Sequence, residues 1–200
     1  MKSLIKTTFA TLLIAVVMAS SAFSNAVAKP VNSVKMLSIN KSFNKIWVGG
    51  NVKIILTQSE NEGIFVDENF NADQTSVTSA GSTLYINSME SGQVTIKVSV
   101  KDLQRIEAAG SAVVVTSNNF DVKYLQLFLS QNAKAKVSAI TGSLYTVIKD
   151  DATLKMSGMA HEHTLVASNM KNVKLTDFVC KRNNNNVPVA EAARLAGLAK

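Results

Sequence analysis

Three small groups of residues in this chain have the types and spacing that chemistry requires. His161-Glu162-His163 sets two imidazoles two positions apart, on one face of the chain if the segment is extended. Such a pair suits a transition metal, but no cysteine or third histidine completes a ligand set, and a polar loop between strands is the plainer reading. Asp150-Asp151 is a pair of adjacent carboxylates. Neighbours on a strand or turn point apart, so a turn suits them better than shared acid and base work on one substrate. The third group is Lys136, Lys155 and Lys174, which recur every 19 residues, with Lys134 and Lys171 nearby. In strands stacked in register these lysines form a positive column about 4.8 Å from member to member. Their mutual repulsion would be relieved by a bound polyanion. Solvated lysines that discourage edge pairing are the alternative. Tyr124 and Tyr145 offer rings for stacking on sugars or for packing at a strand edge. The candidate ligand-binding residues are therefore Lys134, Lys136, Lys155, Lys174 and Tyr145. No catalytic, cofactor-binding or metal-binding residue is assigned. The chain has no Gly-x-Ser-x-Gly nucleophile turn, phosphate loop or dinucleotide fingerprint. The middle outward columns carry lysine and serine rather than the paired carboxylates that glycoside cleavage uses.

These residues sit on segments of period 2. Residues 94–100 alternate β-branched and polar side chains, and 52–56, 84–86, 112–116 and 125–129 are further strand candidates. Turn-like clusters separate them: Gly49-Gly50-Asn51, Ser79-Ala80-Gly81-Ser82 and Ser117-Asn118-Asn119. A longer repeat runs through them. A shift of 19 residues aligns Val137, Met156 and Leu175, then Ile140, Met159 and Phe178, then Ala135, Leu154 and Val173. Ser138, Ser157 and Thr176 form a hydroxyl column, and an earlier copy joins because Ala112 precedes Ala133 by 21 residues and Ala133 precedes Ala152 by 19. Four copies are traceable over 103–178. Identical columns at a fixed offset are what stacked parallel strands produce, because one coil cannot bury its apolar face alone. The expected fold is all-β, a right-handed parallel β-helix-like solenoid with coils of about 19–21 residues. An antiparallel sandwich is the rival. Residues 29–100 read as a first cap plus early coils. Asn183-Asn184-Asn185-Asn186 reads as a polar break, and 189–196 as a short C-terminal helix or a tail over the last coil.

Composition agrees with a folded, exported protein. Hydrophobic residues make up 46% and charged residues 18%, which excludes disorder of the whole chain. Lys2 and Lys6, an apolar run over 9–18 and Ala26-Val27-Ala28 have the order of a signal peptide, so 1–28 is expected to be removed. An uncleaved anchor is the alternative. The domain expected is 29–200, a single solenoid whose residues 183–200 form the polar break and terminal cap, with no transmembrane span in the mature chain. The net charge is +7, or +5 without the two leader lysines, and favours anionic partners. Export makes acidic polysaccharide or an envelope protein the expected partner rather than nucleic acid. Cys180 has no second cysteine to pair with and is expected to be buried and inert, or else to pair between molecules.

Phe43-Asn44-Lys45-Ile46-Trp47-Val48-Gly49-Gly50-Asn51-Val52-Lys53-Ile54 resembles the opening strand pair of the putative auto-transporter adhesin head domains, or GIN domains, common in exported proteins of Bacteroidetes. Leu84-Tyr85-Ile86, residues 94–100 and Leu103-Gln104-Arg105-Ile106-Glu107-Ala108-Ala109-Gly110-Ser111-Ala112 follow in the order of that family, over about 43–178. The chain departs from it where Ser130-Gln131-Asn132-Ala133, Lys149-Asp150-Asp151-Ala152 and Ser168-Asn169-Met170-Lys171 replace small glycine turns. Asn and Asp tolerate the left-handed conformations those turns need. The resemblance implies a β-helix-like fold, no catalytic residues and no cofactor, and a place in the periplasm or at the cell surface. Non-catalytic binding or adhesion is the expected function. A carbohydrate-active enzyme on a β-helix scaffold and a self-associating structural protein are the alternatives.

Overall fold

The computed structural model describes residues 34–38, 42–67 and 70–185. The expected leader and the expected C-terminal helix lie outside these residues. The strands are β1 (Val34–Leu37), β2 (Lys45–Gly50), β3 (Val52–Gln58), β4 (Gly63–Asp67), β5 (Thr75–Ala80), β6 (Thr83–Ser88) and β7 (Val94–Val100). They continue as β8 (Arg105–Ala108), β9 (Val113–Thr116), β10 (Phe120–Leu129), β11 (Lys134–Ile148), β12 (Thr153–Ala167) and β13 (Val173–Asn185). A single 3-10 turn, Met170–Asn172, precedes β13, and the described residues are otherwise all-β. β13 runs on through Asn183 and Asn184, paired with His163 and Thr164, where composition alone suggests a break.

All 13 strands belong to one hydrogen-bonded sheet of mixed orientation. Its pairing falls into three ladders. In the first, β6, β2 and β8 lie in parallel beneath the second halves of β10, β11 and β12. In the second, β7, β3 and β9 lie in parallel beneath the first residues of β11, β12 and β13. The third joins the start of β10 to the middles of β11, β12 and β13, and the end of β13 continues the first ladder. The sheet is not parallel throughout, as the sequence reading had it. β5 pairs antiparallel with β6, β4 with β7 and β1 with β4, which extends one end of the stack with short strands of alternating direction. The order is also non-sequential, since β2 and β3 lie between β6 and β7 on one side and β8 and β9 on the other.

The repeat has a direct physical meaning in this sheet. β10, β11 and β12 pair at an offset of 19, as in Phe120 with Ala139 and Lys134 with Thr153. β9 meets β11 at 21, as in Val113 with Lys134. Inward columns such as Ile54, Val114, Ala135 and Leu154 are sealed from water and join one buried cluster drawn from all three ladders. Ala112, Ala133 and Ala152 stack at one corner, each fully buried.

Two columns differ from the sequence reading. The register slips between Lys155 and Ser157, so Ser157 meets Asp177 rather than Thr176, and Met159 meets Val179 rather than Phe178. Beside the slip, Gly158 has φ +104, and a Cβ there would stand 2.1 Å from the Ala139 carbonyl oxygen. Alternation turns Ile140 and Met159 outward, and the slip makes Val179 the third member of their column, at 44%, 45% and 64% exposed. Phe178 instead pairs with Gly158 and packs on the core. Two of the three turns without glycine take a left-handed residue, at Gln131 rather than Asn132 and at Asp150, whereas the third forms the 3-10 turn with Asn169 extended at φ −143. Gln131 and Asp150 have φ of 58 and 56, matching Gly110 at 71. Each turn is tied to the next: Gly110 N–H donates to Gln131 Oε1 at 2.6 Å, and Gln131 N–H to Asp150 Oδ2 at 2.9 Å.

Candidate functional site

Strand alternation decides which side chains of the second ladder reach solvent. Ala135 and Val137 point into the core, so Lys134 and Lys136 point out; Leu154 and Met156 do the same for Lys155. Lys136 is the register partner of Lys155, and Lys155 of Lys174, so the three expected lysines are adjacent across three strands. Lys134 lies two residues from Lys136 on the same face and pairs with Val113 and Thr153. Asp177 is the one carboxylate in a salt bridge with these lysines among the described residues, its Oδ2 3.8 Å from Lys155 Nζ with both side chains more than half exposed. A pair so exposed contributes little.

The same outward columns continue downwards to residues the sequence reading did not assign. Lys134 is followed by Val113 and Lys53, and Lys136 by Val115, Ile55 and Lys97. Period 2 alone marks Lys53 and Lys97 as outward. The non-sequential order of the strands hides that they share a face with Lys134 and Lys136. Tyr145 belongs elsewhere. It lies on the first ladder beside Gln126 and Thr164, with its ring 5.9 Å from that of Phe128.

The other chemical groups take structural places. His161 and His163 do not share a face, because the chain turns a corner between the third and first ladders and alternation breaks there: Ala160 and His163 are buried, His161 exposed. His163 Nε2 is 3.2 Å from Thr146 Oγ1, Nδ1 has no partner, and the ring meets Phe178 edge-on at 5.2 Å. Burial without a counter-charge pushes its pKa down to about 4. Asp150 serves its turn, as described above. Cys180 faces the end of the core and is half-buried rather than sealed, its thiol donating to the Arg182 carbonyl at 3.0 Å. A groove of about 610 Å³ gathers Glu60, Glu62, Asp102 and Lys101 over Phe43 and Asn44. Each carboxylate there is engaged locally. Glu60 binds Lys101 Nζ at 2.5 Å and raises its pKa, Glu62 accepts from Lys101 N–H, and Asp102 accepts from Gln104.

The family described as "Putative auto-transporter adhesin, head GIN domain" matches residues 42–189. Two crystal structures of proteins from Parabacteroides distasonis are similar to this chain. A "putative adhesin" is 17% identical, with a TM-score of 0.54, over 76% of this chain and 79% of that one. A "putative lipid binding protein" is 15% identical, with a TM-score of 0.52, over 76% of each chain. At such identity the likeness is one of fold alone. No curated protein matches the chain.

Proposed function

The chain belongs to the "putative auto-transporter adhesin, head GIN domain" family, and from that premise we propose that it is an exported, non-catalytic binding module of the cell envelope. In this reading its stacked strands form a β-helix-like coil that displays side chains at a fixed period, in the periplasm or at the cell surface. The ligand is an acidic polysaccharide, held by Lys134, Lys136, Lys155 and Lys174. The observation that carries the proposal is the register of Lys136, Lys155 and Lys174 on one outward face. Like charges about 4.8 Å apart repel, and a chain of anions laid across the strands replaces that repulsion with attraction. Lys53 and Lys97 lengthen the same face. Two similar folds described as a putative adhesin and a putative lipid binding protein accord with a binding role.

The test is binding of the purified protein to neutral and acidic glycans at low and high salt. The proposal expects an acidic glycan to bind, to weaken as salt screens the lysines, and to be lost in the Lys136→Glu, Lys155→Glu double variant. Failure of every acidic glycan to bind at low salt would remove the polysaccharide from the proposal and leave an envelope protein as the partner.

A further inference from the structure

The first ladder carries a second surface of different chemistry. Ile46, Val48, Ile106, Leu127 and Leu129 point into the core, so alternation sends Trp47, Glu107 and Phe128 outward. Register makes them neighbours: Tyr85 beside Trp47, Trp47 beside Glu107, and Glu107 beside Phe128. The ring centroids of Trp47 and Tyr85 are 6.3 Å apart, and those of Phe128 and Tyr145 5.9 Å. The sole tryptophan, two of the three tyrosines and one phenylalanine are thus placed on the solvent side of one sheet. Tyr85 is 41% exposed. Phe128 and Tyr145 are half-buried against Val147 and Val166, and Trp47 is half-buried beside Tyr85; aromatic surface that reaches solvent in this way marks a binding site.

Two details show how the strip is built. Gly49 is buried beneath the indole, and a Cβ there would stand 2.5 Å from Trp47 Cη2. The absent side chain lets Trp47 lie down along its own strand. Between the rings, Arg105 donates to Glu107 at 2.9 Å and stacks over Phe128, its Cζ 4.2 Å from the ring centroid. The middle of the strip therefore offers donors and acceptors, with its charges offset against each other.

We infer that this strip binds a neutral oligosaccharide chain, with a sugar ring stacked on the Trp47–Tyr85 pair and hydroxyls bonded to the Arg105–Glu107 pair that Phe128 supports. Apolar faces of pyranose rings fit the aromatic rings, and hydroxyl groups fit a charge-offset pair better than an anionic chain does. The site is separate from the lysine face in both position and force.

Trp47, the sole tryptophan, gives a direct readout. The full chain is titrated with cellohexaose, xylohexaose, laminarihexaose and chitohexaose, following tryptophan emission at low and high salt. At least one of these saccharides is expected to shift the emission saturably and independently of salt. Affinity should fall about tenfold in Tyr85→Ser and again in Phe128→Ala. Tyr85→Ser alters an exposed side chain outside the core, and circular dichroism checks that both variants are folded. Binding should survive the Lys136→Glu, Lys155→Glu double variant. No shift with any of the four saccharides overturns the inference, as does a shift that both ring variants retain. Loss of binding in the lysine variant alone would instead assign the saccharide to the lysine face.

Discussion

Replacing His163 with leucine should make the protein more resistant to acid, and the size of the effect follows from where the imidazole sits. The side chain is fully buried in an inward column above Leu125 and Leu144, so leucine continues a column that is already apolar. Its pKa is lowered from 6.5 to about 4 by desolvation. The unfolded chain therefore binds a proton on His163 before the folded chain does. The stability contributed by keeping this imidazole neutral is fully present above pH 6.5 and is lost progressively as pH falls towards 4. At about 1.36 kcal/mol per pH unit, the loss over that window is about 3 kcal/mol. Leucine abolishes it. The variant gives up the contact with Thr146, at a cost of about 1 kcal/mol, and removes a buried Nδ1 that has no partner. Urea unfolding of both proteins between pH 7 and pH 4 measures the effect as a difference of differences, which cancels the carboxylates common to both. Near-equal stabilities at pH 7, diverging in favour of the leucine variant as pH falls, are the expected result. Parallel pH profiles across that window would refute the reasoning.

Two further substitutions test the stacking itself. Gly158→Ala forces a Cβ against the Ala139 carbonyl at a positive φ, and should cost about 3 kcal/mol in urea unfolding. Asp150→Ala removes the acceptor for Gln131 N–H and strains a left-handed turn, for a loss of about 2 kcal/mol in the same assay. Asp150→Gly keeps the backbone free to take that conformation and should cost only about half as much.

Much of this arrangement is legible in the sequence because parallel stacking repeats side chains at a fixed interval. The offset of 19 is visible in Lys136, Lys155 and Lys174, and the pairing of β11, β12 and β13 realises it. The slip after Lys155 is not visible, since Thr176 continues the hydroxyl column that Asp177 in fact meets. A one-residue bulge changes pairing without changing the local period. The place of β2 between β6 and β8, and of β3 between β7 and β9, leaves no trace either, because those strands share no interval with the later copies. The face that joins Lys53 and Lys97 to the later lysines was hidden for that reason. The two histidines were placed on one side by an alternation that a corner interrupts. Trp47, Tyr85 and Phe128 lie in separate segments of the sequence with no common interval. Only register brings them into one strip.

The measurement closest to the proposed role compares charge reversals at matched net charge. Affinity for an acidic polysaccharide such as polygalacturonate is measured for the natural protein, for Lys136→Glu with Lys155→Glu, and for Lys123→Glu with Lys149→Glu. Lys136 and Lys155 lie side by side in register, whereas Lys123 and Lys149 are exposed outside the second ladder. A lysine face that binds predicts that the first pair abolishes binding while the second weakens it only slightly. Equal losses in the two variants would mean that net charge alone attracts the polysaccharide, and would contradict a site built by register.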